Sequence, residues 1–168
     1  MVNDLIDGYM YFLENEGAWV PTVANIDLAT DFTEGTEFCK LKIPLQWVET
    51  PLTGIKGELA SSGVGFMERT FRRGYILDFQ ATVDFTDLAL IRQFFLSNDH
   101  TTSSPTSYVP YYLVMRRSVT EYIQFYNTAG SLVDYLKGAV PNGGLKYTWN
   151  EGNKSLRAIV QIKFMGLW

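Results

Sequence analysis

Tyr75-Ile76-Leu77-Asp78-Phe79-Gln80-Ala81-Thr82-Val83-Asp84-Phe85 is the stretch that decides the fold. Tyr75, Leu77, Phe79, Ala81, Val83 and Phe85 fall on one face of an extended chain, and Asp78, Gln80, Thr82 and Asp84 on the other. Such alternation belongs to a strand with one face in a core and one in solvent. It is long for a strand, whose usual length is ~5–6 residues. A helix follows at once. Thr86 reads as its N-cap, Asp87 suits the positive end of the helix dipole, and Leu88, Ile91, Phe94 and Phe95 form a buried stripe.

Downstream, residues 145–165 read as a hairpin. Leu145, Tyr147 and Trp149 alternate, Glu151-Gly152-Asn153-Lys154 supplies turn chemistry, and Leu156, Ala158, Val160, Ile162 and Phe164 resume the alternation. Residues 108–115 are apolar on both faces, as in a strand covered on both sides, and residues 121–126 form a further strand. A short helix is expected over 131–136, with Leu132, Val133 and Leu136 inward.

Upstream, Cys39, Leu41, Ile43, Leu45 and Trp47 alternate with polar residues in a strand that Pro44 assigns to an edge or a bulge. Residues 49–74 contain Gly54, Gly57, Gly63 and Gly65 and read as an extended loop. At the N-terminus, Leu5, Ile6, Tyr9, Met10, Phe12 and Leu13 have helical spacing. Asn3 would cap that helix and Gly17 close it, so a helix is expected over 3–16. The expectation is one α+β domain over residues 1–168. Its mainly antiparallel β-sheet, or partial barrel, would be flanked by the N-terminal and central helices.

Composition narrows the function. With 46% apolar and 15% aromatic residues in 168, the chain can build a core, and the aromatic surplus points to surface covered by a partner. No run reaches the ~18 apolar residues of a membrane span, and an acidic N-terminus is wrong for a signal peptide. Charge is segregated. Met1 to Cys39 holds eight acids and no Lys or Arg, whereas the rest holds all 14 bases and ten acids. The two parts therefore carry −8 and +4, a polarity suited to docking of one part on another or to a solvated acidic surface.

The chemistry of known sites is missing. His100 is the single imidazole, beside Ser97, Asp99, Ser103 and Ser104, but no rigid nucleophile turn accompanies it. Cys39 shares a face with Leu41 and Ile43 and reads as a buried thiol. Gly63-Val64-Gly65 is followed by Glu68 where a dinucleotide loop needs its third glycine. Asp78 and Asp84 read as a solvent face rather than a glycosidase pair. The sequence is read as non-enzymatic, with no catalytic residue, metal ligand or cofactor.

Two basic clusters remain: Arg69, Arg72 and Arg73, interleaved with Phe71, and the pair Arg116-Arg117. They read either as exposed strand ends or as a patch receiving the acidic region of a neighbouring subunit. With Phe66, Trp19 and Trp47 they are the candidate subunit-interface residues.

Three stretches together resemble the ring-forming proteins of tailed-phage tails, chiefly tail terminators and their tail-tube relatives. They are the N-terminal helix leading through Pro21 into strands, the long strand from Arg73 to Phe85 with its helix, and the short helix near Leu132 with the final hairpin. The resemblance is architectural. It implies a non-enzymatic virion protein of tail or neck, made in the host cytoplasm, that forms a hexameric ring with itself and adjacent tail proteins. DNA would pass through the channel as cargo. The N-terminal helix favours a terminator, the central loop a tube, and the insertion over 100–126 leaves a neck adaptor open. Two other classes stand beside it: a monomeric carbohydrate- or ligand-binding β module using Trp47 or Tyr111, and a hydrolase using His100.

Overall fold

A computed structural model describes residues 6–14, 33–52, 55–59, 65–69, 74–97, 111–118, 120–126, 130–141, 143–150 and 157–167. The chain order is β1 (Tyr9–Glu14), β2 (Phe38–Lys42), β3 (Val48–Leu52), β4 (Ile55–Leu59), β5 (Gly65–Arg69), β6 (Gly74–Asp84) and α1 (Phe85–Ser97). There follow β7 (Tyr111–Ser118), β8 (Glu121–Tyr122), β9 (Phe125–Tyr126), β10 (Leu132–Val133), β11 (Leu136–Ala139), β12 (Leu145–Asn150) and β13 (Arg157–Leu167). The described chain is mainly antiparallel sheet with one helix, of the α+β class.

The deciding stretch forms as its alternation demands. Leu77, Phe79, Ala81 and Val83 of β6 are buried, while Gln80, Thr82 and Asp84 are exposed. β13 pairs antiparallel along the whole of it, from Arg157 opposite Asp84 to Leu167 opposite Gly74. Its Ala158, Val160, Ile162 and Phe164 are buried on the same face. β12 adds to β13 from Leu145 opposite Ile162 to Asn150 opposite Arg157, giving the expected C-terminal hairpin. In α1 the stripe Leu88, Ile91, Phe94 and Phe95 is buried. Each such side chain contributes about 1.5–3 kcal/mol relative to leaving it in water. The cap is Asp84 rather than Thr86: the Asp87 amide donates to Asp84 Oδ1 at 2.8 Å, the geometry of an N-cap with its N3 residue.

The expected helix over 3–16 is corrected to strand β1. Met10, Tyr11, Phe12 and Leu13 are all fully buried, so the run is covered on both faces, and a run apolar at every position matches helical spacing by default. The extended form wins because β2 and β7 satisfy its backbone from both sides. Gly8 turns the chain into the strand at φ 81°, a conformation that favours glycine. The Gly8 amide donates to the Arg116 carbonyl at 2.9 Å, and its carbonyl accepts the Ile43 amide at 2.8 Å. Met10 and Phe12 enter the main core, whereas Tyr11 and Leu13 join Phe38, Tyr112 and Val114 in a second cluster behind the sheet.

The extended loop expected over 49–74 is also corrected. Three short strands occupy much of it. β3 pairs with β6, from Val48 opposite Asp78 to Leu52 opposite Gly74. β4 and β5 pair with each other, from Ile55 opposite Arg69 to Leu59 opposite Gly65, as a separate two-stranded sheet. Gly57 and Gly65 lie inside strands, which hid them from a reading keyed to glycine. The expected helix over 131–136 is corrected to β10 and β11. Here tight sheet packing overrides local pattern: a Cβ on Gly138 would lie 2.1 Å from the Met165 carbonyl oxygen. The strand expected through Trp47 ends at Lys42, and that over 121–126 divides into β8 and β9.

The main sheet runs β2-β1-β7-β11-β13-β6-β3, with β12 also on β13 and β8 on β7. Since β6 occupies one side of β13 throughout, β11 and β12 share the other, β11 ending with Ala139 opposite Met165 and β12 beginning with Leu145 opposite Ile162. Between those positions the Lys163 amide donates to the Gly144 carbonyl at 2.6 Å. β2 and β3 are opposite ends of this order, yet residues 43–47 alone join them. Six residue steps reach at most about 22 Å. Seven strands laid flat would set the ends about 29 Å apart. The sheet is therefore curled, its ends drawn together around the core. Phe12 stands at the centre of that curl, its ring centroid 5.7 Å from those of both Phe95 on α1 and Phe164 on β13.

Candidate functional site

The short link that draws the sheet ends together also forms one wall of a groove. Residues 43–47 face the polar side of β6, β12 and β13, enclosing about 790 Å³. Register fixes the floor as cross-strand rows: Lys146 opposite Gln161 opposite Gln80, and Lys163 opposite Asp78 opposite Val48. Gln161 Nε2 donates to Gln80 Oε1 at 3.4 Å, and Lys163 Nζ lies 4.0 Å from Asp78 Oδ1. Lys42, exposed at the end of β2, gives a third ammonium. In the wall, half-buried Trp47 tilts over Phe79 at 6.4 Å between ring centroids, and Leu45 is fully exposed.

Three lysines facing one carboxylate make this a cationic groove with an amide floor and an apolar wall. It can hold an anionic or hydrogen-bonding segment by charge and amide contacts. Among the described lining residues Thr82 is the only hydroxyl, and no imidazole or thiol accompanies it there. No group of three or more His, Cys, Asp or Glu suited to a metal is present among the described residues.

The arginine candidates part company. Strand alternation turns Arg116 inward and Arg117 outward. Arg116 is 5% exposed, so its assignment to a surface patch is corrected. Its Nε donates to Asp7 Oδ1 at 2.8 Å, while its Nη1 has no hydrogen-bond partner among the described residues. Arg117 is exposed, with Nη1 3.2 Å from Glu121 Oε1 across the β7–β8 turn. Phe66 and Arg69 lie on β5, paired in register with Glu58 and Ile55. Trp19, Phe71, Arg72, Arg73 and His100 lie outside the described residues. Of the candidate interface residues, Trp47 lines the groove.

The groove lysines and glutamines escaped the sequence reading, although the signal was present. The same alternation that buries Phe79 and Ile162 puts Gln80 and Gln161 on the opposite face. What the sequence lacks is any sign that residues 43–47 close over that face.

Cys39 is buried as expected, and burial pushes its thiol well above its ordinary range, with Glu34 adding to the effect. It is a packed thiol rather than a nucleophile. Tyr147 is pushed up to about 12 by burial and, less, by nearby Cys39, against the opposing Arg92 guanidinium. Arg92 lies 5.9 Å from the Tyr147 ring centroid and 5.2 Å from that of Trp149, fastening α1 to β12.

No protein-family model matches this chain, and no curated protein matches it.

Proposed function

We propose that the chain is a non-enzymatic structural component of a phage tail or neck, a tail terminator or tail-tube subunit that assembles into a hexameric ring around the DNA channel. Its partners are copies of itself and the adjacent tail or neck proteins, DNA is cargo, and its place is the virion. The observation that carries this reading is the β4–β5 hairpin, which pairs with no other strand among the described residues. A hairpin alone is at best marginally stable in water, so an arm of this kind gains most by lying on a neighbouring subunit. The charge segregation supports the same reading, as does the part of the resemblance that keeps its elements, the long strand with its helix and the final hairpin; the N-terminal helix and the short helix near Leu132 are strands and lend it nothing.

Light scattering across a concentration series tests it. The full chain is expected to rise toward a hexamer or longer assemblies. A variant with residues 55–69 replaced by a short Gly-Ser link should stay monomeric with an unchanged far-ultraviolet sheet signal apart from the lost hairpin. A wild-type chain that remains a monomer at every concentration would remove the proposal.

One observation favours a second reading, a monomeric carbohydrate- or ligand-binding β module. Trp47 stands beside the Gln80 and Gln161 amides in an open groove, a combination of apolar platform and amide hydrogen bonding that suits a sugar ring. That reading expects saturable glycan binding by a monomer, lost in Trp47→Ala.

A further inference from the structure

We propose that the lysine groove is the receiving half of a subunit contact, and that residues 15–32 of a second copy, the acidic segment between β1 and β2, fill it. This rests on the assembly reading above and names the surface that carries it. Among the described residues the groove presents Lys42, Lys146 and Lys163 against a single carboxylate, Asp78, already shared with Lys163 at 4.0 Å. Its charge balance leaves cations to be met from outside. Arg116 does not share this role, because it is buried on Asp7.

The occupant follows from charge. Residues 1–39 carry eight acids and no Lys or Arg, and of these Glu16, Asp27 and Asp31 fall in residues 15–32, whereas Asp7 is held on Arg116 and Glu37 accepts the Thr33 amide. Between Ile26 and Phe32 the sequence alternates Asp27 and Asp31 with Ile26, Leu28 and Phe32, a pairing of carboxylates and apolar groups. The groove has the complement: ammonium groups over an amide floor, and an apolar wall with Leu45 fully exposed and Val48 exposed at its rim. Glutamine amides both donate and accept, so Gln80 and Gln161 can pair with an incoming backbone of either polarity. Each copy would offer one groove and one acidic segment, a heterologous contact that closes into rings or runs on as filaments.

The test is a charge swap in the full chain, read as the concentration for half-assembly by light scattering. Lys146→Glu with Lys163→Glu should raise that concentration at least about tenfold, and Lys146→Gln with Lys163→Gln by less. Adding Asp27→Lys and Asp31→Lys to the double-glutamate chain should restore assembly, because the attraction is rebuilt with its signs exchanged. Assembly should also weaken as salt is raised. Circular dichroism on each variant separates misfolding from lost contact, and the glutamine pair, which adds no charge beside Asp78, keeps the test usable if the glutamate pair does not fold. A wild type that assembles while both lysine variants assemble equally well overturns the groove contact and leaves the assembly reading standing. Failure of the swap to restore assembly overturns the choice of occupant, including the case in which residues 15–32 lie on their own chain's groove. A wild type that never assembles removes both.

Discussion

Arg116 Nε donates to Asp7 Oδ1 at 2.8 Å across 109 residues of sequence, while Arg116 Nη1 has no partner among the described residues. The guanidinium is buried, with a side chain 6% exposed against 54% for Asp7. The two partners therefore differ in what their loss should do. Asp7→Asn leaves a buried cation without its counter-charge and should cost about 1–3 kcal/mol, below the ~3–5 kcal/mol of breaking a fully buried pair because Asp7 keeps contact with water. Arg116→Met removes the buried charge and its orphaned N–H together and should cost less. Urea denaturation of both variants checks the order. A larger loss in Arg116→Met would mean that the guanidinium contributes packing or backbone contacts beyond its pairing with Asp7.

The junction of β6 and α1 gives a second prediction. Asp84 Oδ1 accepts the Asp87 amide at 2.8 Å, so Asp84→Ala should cost about 1 kcal/mol and Thr86→Ala no more than about 0.5 kcal/mol. Thermal unfolding of the two single variants decides it. Equal shifts would move the helix start one residue or more toward Thr86.

The elements legible in the sequence were those with one buried face. β6, α1 and the β12–β13 hairpin each show a clean period, and Leu77, Ile91 and Val160 are buried where that period puts them. β1 was not legible, because burial of Tyr11 and Leu13 on one side and Met10 and Phe12 on the other erases any period. Nor were the short strands of residues 49–69, whose glycines speak for turns when read locally and are held in ladders by pairing. The groove was half legible: the polar faces of β6 and β13 could be read, but closure by residues 43–47 follows only from sheet order.

Gly138 supports a third prediction. It sits in β11, between β7 and β13, with the Met165 carbonyl oxygen 2.1 Å from where a Cβ would lie. The obstacle is backbone held in a ladder, so it cannot turn aside as a side chain would. Gly138→Ala should destabilise by about 3 kcal/mol, the upper part of the range for overpacking. It should also raise amide exchange in β11 and at the end of β13 before the rest of the sheet. Denaturant titration with site-resolved hydrogen exchange measures both, and a variant as stable as wild type would mean that β11 can move away from β13 at no cost.

Tyr147 supplies a fourth prediction, on pH. Its phenol is pushed up to about 12 in the folded chain, first by burial and then by Cys39, from the usual 10.0. A raised folded value means that the unfolded chain releases this proton first. The contribution to stability is then complete below about pH 10 and is lost as pH rises toward about 12. Tyr11 and Tyr112, also raised by burial, act in the same direction. Unfolding free energy measured across pH 9–12 should fall in the wild type and fall less steeply in Tyr147→Phe, which removes the titrating hydroxyl and keeps the ring beside Arg92. Parallel slopes in the two chains would show that Tyr147 ionises as readily folded as unfolded, and that its hydroxyl reaches water despite the packing of α1 over β12.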